Sequence, residues 1–186
     1  NHNADKREIR LCDLRTYTIQ TIITSKDDDA CLLLFSHDNK RLYILTECGS
    51  SILIYDIITK QELKYNLPKQ INIWRRIEIL PDDQHLIGVT FEDTLVIYDL
   101  TDFSYRIIAL EEDKIHDIAL NYDGSWVAVS HTPTSVSWYD ITTGQCIHHN
   151  QINDDINYSV LEILNNPCRN QIAYSFFKDL YLDSGV

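Results

Sequence analysis

The chain has 186 residues, of which 44% are hydrophobic and 24% charged, with a formal net charge of −12 at pH 7. These proportions are those of a folded core and exclude a disordered or low-complexity chain. Uncharged apolar runs reach only about six residues, against roughly 20 for a membrane-spanning helix, and the acidity argues against nonspecific contact with nucleic acid or anionic membranes.

The first ten residues are polar and charged, unlike a secretory leader, and the sequence contains no methionine. We therefore expect it to begin inside a longer gene product. Five cysteines (Cys12, Cys31, Cys48, Cys146 and Cys168) form no C-x-x-C pair. That pattern predicts separate reduced thiols and a cytoplasmic setting.

Along the chain, short apolar runs alternate with turn residues. The runs 8–13 and 18–23 read as two strands. Four more follow at 31–35, 41–46, 51–55 and 62–67, with turns at 36–40 and 47–50 between them. Short strands with turn signals roughly every 8–12 residues predict an antiparallel all-β unit. The unit recurs over 73–110 and 114–150, and three strands of another read at 159–164, 171–175 and 179–182. Third strands such as 52–55 and 95–98 are apolar on both faces, whereas the fourth strands carry polar residues, as an outer edge should.

The third strands end in a repeated pair. It stands at Tyr55-Asp56, Tyr98-Asp99 and Tyr139-Asp140, with fainter copies at Cys12-Asp13 and Leu182-Asp183. The aspartates are separated by 43, 43, 41 and 43 residues, and a fixed period of that length means a repeat architecture. Four-stranded sheets packed face to face around an axis fit the hydrophobic gradient within each unit. We predict an all-β propeller of four-stranded antiparallel blades, with about four blades present. Segment 1–24 supplies strands three and four of a first blade, 30–67, 73–110 and 114–150 form complete blades, and 158–186 is a partial last blade. Both ends carry a third strand, so they cannot complete one shared blade. The remaining blades are expected from the rest of a longer chain or from self-association, because an open array exposes its end faces.

Each aspartate of the series has a physical task. At the head of a turn, its carboxylate accepts backbone N–H groups two or three residues on. Asp13, Asp56, Asp99, Asp140 and Asp183 are therefore read as structural turn residues. Gly144, four residues after Asp140, supplies the positive φ of a tight hairpin. The other copies lack this glycine, and less regular hairpins are expected there.

These residues resemble the WD-repeat β-propeller family, whose repeat closes its third strand with Trp-Asp. Tyr139-Asp140 followed by Thr143-Gly144-Gln145 comes nearest, with Tyr in the Trp place. The family's Phe-Ser-Pro-Asp-Gly-x-x-Leu turn is similar to residues 35–42, 79–86 and 120–127, and a hydroxyl residue closes strand two at Thr46, Thr90, Ser130 and Ser175. The family's Gly-His is missing from every copy. Ser25-Lys26, Lys69-Gln70, Leu110-Glu111 and Asn153-Asp154 stand in its place, so the buried Asp-His-Ser-Trp network of regular blades cannot form. The resemblance implies a degenerate slice of a larger propeller, serving as a non-enzymatic scaffold for protein–protein contacts within a larger intracellular protein.

In that family, blade connections and the turns between strands two and three share one rim, the usual binding face. The corresponding segments here hold Asp27, Asp28, Asp29, Glu47, Glu92, Asp93, Glu111, Glu112, Asp113, Asp154 and Asp155. Together with their lysines they carry about two-thirds of the net charge, a field that would attract a basic protein surface or peptide. No G-x-G-x-x-G, Walker, G-x-S-x-G or H-E-x-x-H motif occurs, and no catalytic residue, metal or cofactor is expected. Asp27 to Asp29 lack the alternation of a calcium loop, and the adjacent His148 and His149 should point to opposite faces of a strand. Trp126 and Trp138 are expected in the core, with Trp74 at the entrance to a blade. The alternative is an enzymatic propeller of quinoprotein-dehydrogenase or lactonase type, which would need a central polar site.

Overall fold

The computed structural model describes residues 7–25, 30–46, 51–67, 74–110, 114–131, 135–151, 158–166 and 171–178. Five antiparallel sheets follow one another along the chain. The first is a hairpin of β1 (Arg7–Asp13) and β2 (Thr18–Ser25). The second, in order, joins β3 (Ala30–Phe35), β4 (Arg41–Thr46), β5 (Ser51–Asp56) and β6 (Glu62–Asn66). The third joins β7 (Trp74–Ile79), β8 (His85–Thr90), β9 (Leu95–Asp99) and β10 (Tyr105–Ile108). The fourth joins β11 (Ile115–Leu120), β12 (Trp126–His131), β13 (Ser135–Asp140) and β14 (Cys146–Gln151), and the last pairs β15 (Tyr158–Asn165) with β16 (Ile172–Lys178). The predicted strand at 179–182, and Asp183 with it, lie outside the described residues.

Successive residues of a strand point to opposite faces, and here each face belongs to a different interface. Along β9, Leu95 and Ile97 enter a core shared with the fourth sheet, whereas Val96 and Tyr98 enter a core shared with the second. Four such apolar layers join the five sheets in sequence. This explains why a third strand such as β9 carries no polar face. It also explains the tyrosine of the repeated pair: Tyr55, Tyr98 and Tyr139 each fill the layer toward the preceding sheet. Outer strands cover nothing further, so β6 and β14 are mostly exposed.

The innermost strands share a second device. In β3, β7, β11 and β15 the register slips once, between Ala30 and Leu32, Trp74 and Arg76, Ile115 and Asp117, and Val160 and Glu162. One extra residue, His116 in β11, bulges at the same place in each strand and bends it. The bulges align Leu32, Arg76, Asp117 and Glu162 as counterparts in four blades. The alignment corrects one reading of the sequence, that hydroxyls end strand two at equivalent places. Ser130 and Ser175 lie opposite Asp117 and Glu162, whereas Thr46 and Thr90 lie one residue further on, opposite Ala30 and Trp74. A shift of one residue turns a side chain to the other face. Ser130 accordingly closes its bulge, accepting from Asp117 N at 3.0 Å and donating to Asp117 O at 3.3 Å.

The outer hairpins are more regular than their sequences suggest. Asp13 Oδ1 accepts the N–H of Arg15 at 2.8 Å, Asp56 Oδ1 those of Ile58 and Thr59 at 2.9 and 2.7 Å, Asp99 Oδ1 that of Thr101 at 2.6 Å, and Asp140 Oδ1 that of Thr143 at 2.7 Å. The residue four places on has positive φ in each of the four described copies: Tyr17 57°, Lys60 60°, Phe103 63° and Gly144 71°. Less regular hairpins were expected without glycine, but the caps hold non-glycine residues in the left-handed region at a cost of about 1 kcal/mol each. Bonds of these turns hold three carboxyls below their usual range, chiefly the Thr59 N–H at Asp56, the Thr101 hydroxyl and then its N–H at Asp99, and the Thr143 N–H at Asp140.

Turns between strands one and two stack from blade to blade. Asp83 Oδ1 accepts His37 N of the preceding blade at 2.7 Å, and Oδ2 accepts Asp38 N at 3.1 Å. At the next interface the counterpart of Asp83 is Gly124, with φ of 73° and its Cα pressed against Pro81. An added Cβ would lie 2.6 Å from Pro81 Cδ. Gly124→Ala is expected to cost about 2 kcal/mol in chemical denaturation, through left-handed strain and crowding. A change below about 0.5 kcal/mol would show that Pro81 yields freely.

Candidate functional site

Both classes of segment expected on the acidic rim are partly visible. Thr90 begins the turn between β8 and β9: its N–H bonds Thr94 O at 3.0 Å, and its Oγ1 accepts Thr94 N at 3.2 Å. Asp93, at φ 56°, directs Oδ1 to the N–H of Ile115 at 3.2 Å. Ile115 is the first residue of the next inner strand, so this bond sets a strand-two turn against the start of the following blade. Glu92 beside it is exposed. Asp27, Asp28, Asp29, Glu47, Glu111, Glu112, Asp113, Asp154 and Asp155 lie outside the described residues.

A second cluster lies where the inner strands converge. Arg76 Nε donates to Asp117 Oδ1 at 2.9 Å, and Ile163 N donates to Asp117 Oδ2 at 3.0 Å. One buried carboxylate therefore ties β7, β11 and β15 together. Two residues along β7, Glu78 Oε2 accepts Leu120 N at 3.2 Å. Burial raises the Glu78 carboxyl to about 7, the nearby Asp117 charge adds to the rise, and the Leu120 N–H opposes it. Arg76, Glu78 and Asp117 line a pocket of about 570 Å³ with Ile118, Ile163 and Ser175.

Glu78 and Asp117 were not singled out in the sequence, although a signal was present. Inner strands are covered on both faces and should be apolar, yet Arg76, Glu78, Asp117 and Glu162 interrupt them. A charge in such a strand needs a partner, and each partner found for the Asp117 and Glu78 carboxylates comes from another blade.

The remaining candidates fall largely where expected. His148 stacks against Trp138 with ring centroids 5.0 Å apart, while His149 Nδ1 lies 3.0 Å from Ser137 Oγ on the opposite face. Trp126 and Trp138 are partly buried against the layer joining the fourth and fifth sheets. His116 is the exposed bulge residue of β11. Nothing is described of the Trp74 side chain. Cys12 and Cys146 are free thiols, and among the described residues no group of three His, Cys, Asp or Glu is placed to hold a metal ion.

At the level of sequence, no family model and no curated protein matches the chain. Solved structures of similar fold do. The mitotic checkpoint complex includes a chain that matches with a TM-score of 0.68 and 13% identity, over 91% of this chain and 51% of that one. Hydrazine synthase of Kuenenia stuttgartiensis matches with a TM-score of 0.69 and 18% identity, over 91% and 49%. The β-propeller domain of Myceliophteria thermophila Cps50 (Swd1) matches with a TM-score of 0.62 and 10% identity, over 80% and 48%. The chain thus spans about half the length of each. Its fold is that of a β-propeller, and its likeness to the WD-repeat propellers, first read from the Tyr-Asp series, is a likeness of architecture.

Proposed function

We propose that the chain is a non-enzymatic propeller scaffold of a larger cytoplasmic protein, with an acidic rim that recruits a basic protein surface or peptide. The Asp93–Ile115 bond carries this reading, because it sets a turn that follows strand two beside the residue where the next inner strand begins, as a shared rim would require. The strand-two turns and blade connections hold the eleven candidate acids, in a chain with a net charge of −12. The inner-strand cluster supports the same view: the Asp117 and Glu78 carboxylates are engaged in bonds between blades. That one similar fold occurs in a checkpoint complex is in keeping with a role in assembly.

Affinity for a fluorescent lysine- and arginine-rich peptide tests the proposal. Raising salt from 50 to 300 mM should weaken binding about tenfold, since rim charges act through a screened field. Charge reversal at Asp28, Glu111 and Asp154 should have a similar effect. Binding that ignores both salt and reversal would exclude the acidic rim as the docking face.

One observation favours an enzymatic reading. The 570 Å³ pocket contains a carboxyl poised near neutrality, and one similar fold belongs to an enzyme, hydrazine synthase. Stoichiometric cofactor or metal in the purified full-length protein would bring that reading forward.

A further inference from the structure

The interface between the second and third sheets has the same plan as that between the third and fourth, and one difference between them leaves a groove at the earlier one. Leu63 pairs with Ile54, and Arg106 pairs with Ile97, so Leu63 and Arg106 are counterparts on their outer strands. Leu100 and Ile141 are counterparts too. Each follows a strand-three aspartate and donates its N–H to a neighbouring turn, Leu100 to Gln84 O at 2.8 Å and Ile141 to Ser125 O at 2.9 Å.

At the later interface, the Arg106 guanidinium crosses to the next blade and donates to the Ile141 carbonyl. At the earlier one, Leu63 has no donor to offer and is 56% exposed. A groove of about 320 Å³ is left there, lined by Ile54, Leu63, Tyr65, Leu100, Asp56 and Asp83. Among the described residues, the Leu100 carbonyl accepts no hydrogen bond. Tyr65 is held against Phe103 with ring centroids 4.3 Å apart, where the later interface has Gly144 in place of Phe103. With Arg41, which also lines the groove, Asp56 and Asp83 leave it one net negative charge.

We propose that this groove is a docking site for an arginine side chain of a partner protein, whose guanidinium donates to the Leu100 carbonyl as Arg106 does to that of Ile141. The chemistry is specific to arginine. A planar guanidinium can donate sideways to a carbonyl while its face rests on an aromatic ring, and a lysine ammonium offers neither fork nor plane. The groove opens at the end of the blades that carries the one–two and three–four turns. Glu92 and Asp93 lie in a turn between strands two and three, at the other end of the strands, so this site stands or falls independently of the proposed rim.

The test is a titration of isotope-labelled full chain with the capped pentapeptide Gly-Gly-Arg-Gly-Gly, followed by amide chemical shifts. Saturable shifts at Tyr65, Leu100 and Thr101 are expected, and the lysine counterpart should bind at least about threefold more weakly. Leu63→Arg supplies its own guanidinium and should abolish the response, whereas Leu63→Ala leaves the groove open and should preserve it. Equal binding of the lysine peptide, an undiminished response in Leu63→Arg, or shifts confined to Glu92 and Asp93 would each overturn the assignment.

Discussion

Asp117→Ala is expected to destabilise the protein by about 3 kcal/mol, the largest loss from any single carboxylate described. Two contributions add. Ile163 is 3% exposed, and its N–H would lose an acceptor that water cannot readily replace, at about 1–3 kcal/mol. The ion pair adds less, because the Arg76 side chain is 53% exposed while that of Asp117 is 9% exposed. A half-solvated pair of this kind is worth up to about 1 kcal/mol. Asp117→Asn keeps an oxygen for Ile163 and should recover most of the loss. Chemical denaturation of the full chain decides the matter. If alanine and wild type unfold within about 0.5 kcal/mol of each other, the three blades are held by apolar layers alone.

The reason for that expectation lies in how a propeller is closed. Apolar layers between blades are broad but tolerate sliding, since dispersion and burial have little direction. A carboxylate shared by β7, β11 and β15 fixes three inner strands at one height. The bulge at His116 sets that geometry, turning the strand so that Asp117 faces both neighbours.

Most of the architecture was legible in the sequence because it follows from period and alternation. The Tyr-Asp series gave the blade length, and both residues of the pair proved to have separate tasks, the tyrosine in a layer and the aspartate at a cap. The hairpins misled because glycine is a sufficient sign of positive φ and not a necessary one. Tyr17, Lys60 and Phe103 adopt it under the caps of Asp13, Asp56 and Asp99.

The inner-strand cluster was legible in kind but not in detail. That Arg76, Glu78 and Asp117 must be paired could be argued from their strands. Their partners could not, because two of the acceptors' donors are backbone groups of Leu120 and Ile163, which no side-chain pattern reveals. The arginine-shaped groove was hidden for another reason. It appears only when Leu63 and Arg106 are compared at the same register, and that comparison needs the paired strands.

Glu78 should make stability fall as pH rises through neutrality, against the usual behaviour of carboxylates. Its carboxyl is raised from 4.5 to about 7 in the folded protein, so between those values the folded state binds more protons than the unfolded chain. Stability is then fully present below about pH 4.5 and lost as pH passes 7, and a shift of this size corresponds to about 3 kcal/mol. Glu78→Gln stays neutral and still offers an oxygen to Leu120 N. We expect it to match wild type within about 1 kcal/mol at pH 5 and to exceed it by about 3 kcal/mol at pH 8. Comparing the two proteins at each pH cancels every other titrating group that does not touch Glu78. A difference that stays constant from pH 5 to 8 would mean that Glu78 ionises as a solvated carboxylate, and burial would not be what governs it. Because the Asp117 charge is the lesser cause of the shift, Asp117→Asn should move the midpoint of that difference downward without abolishing it.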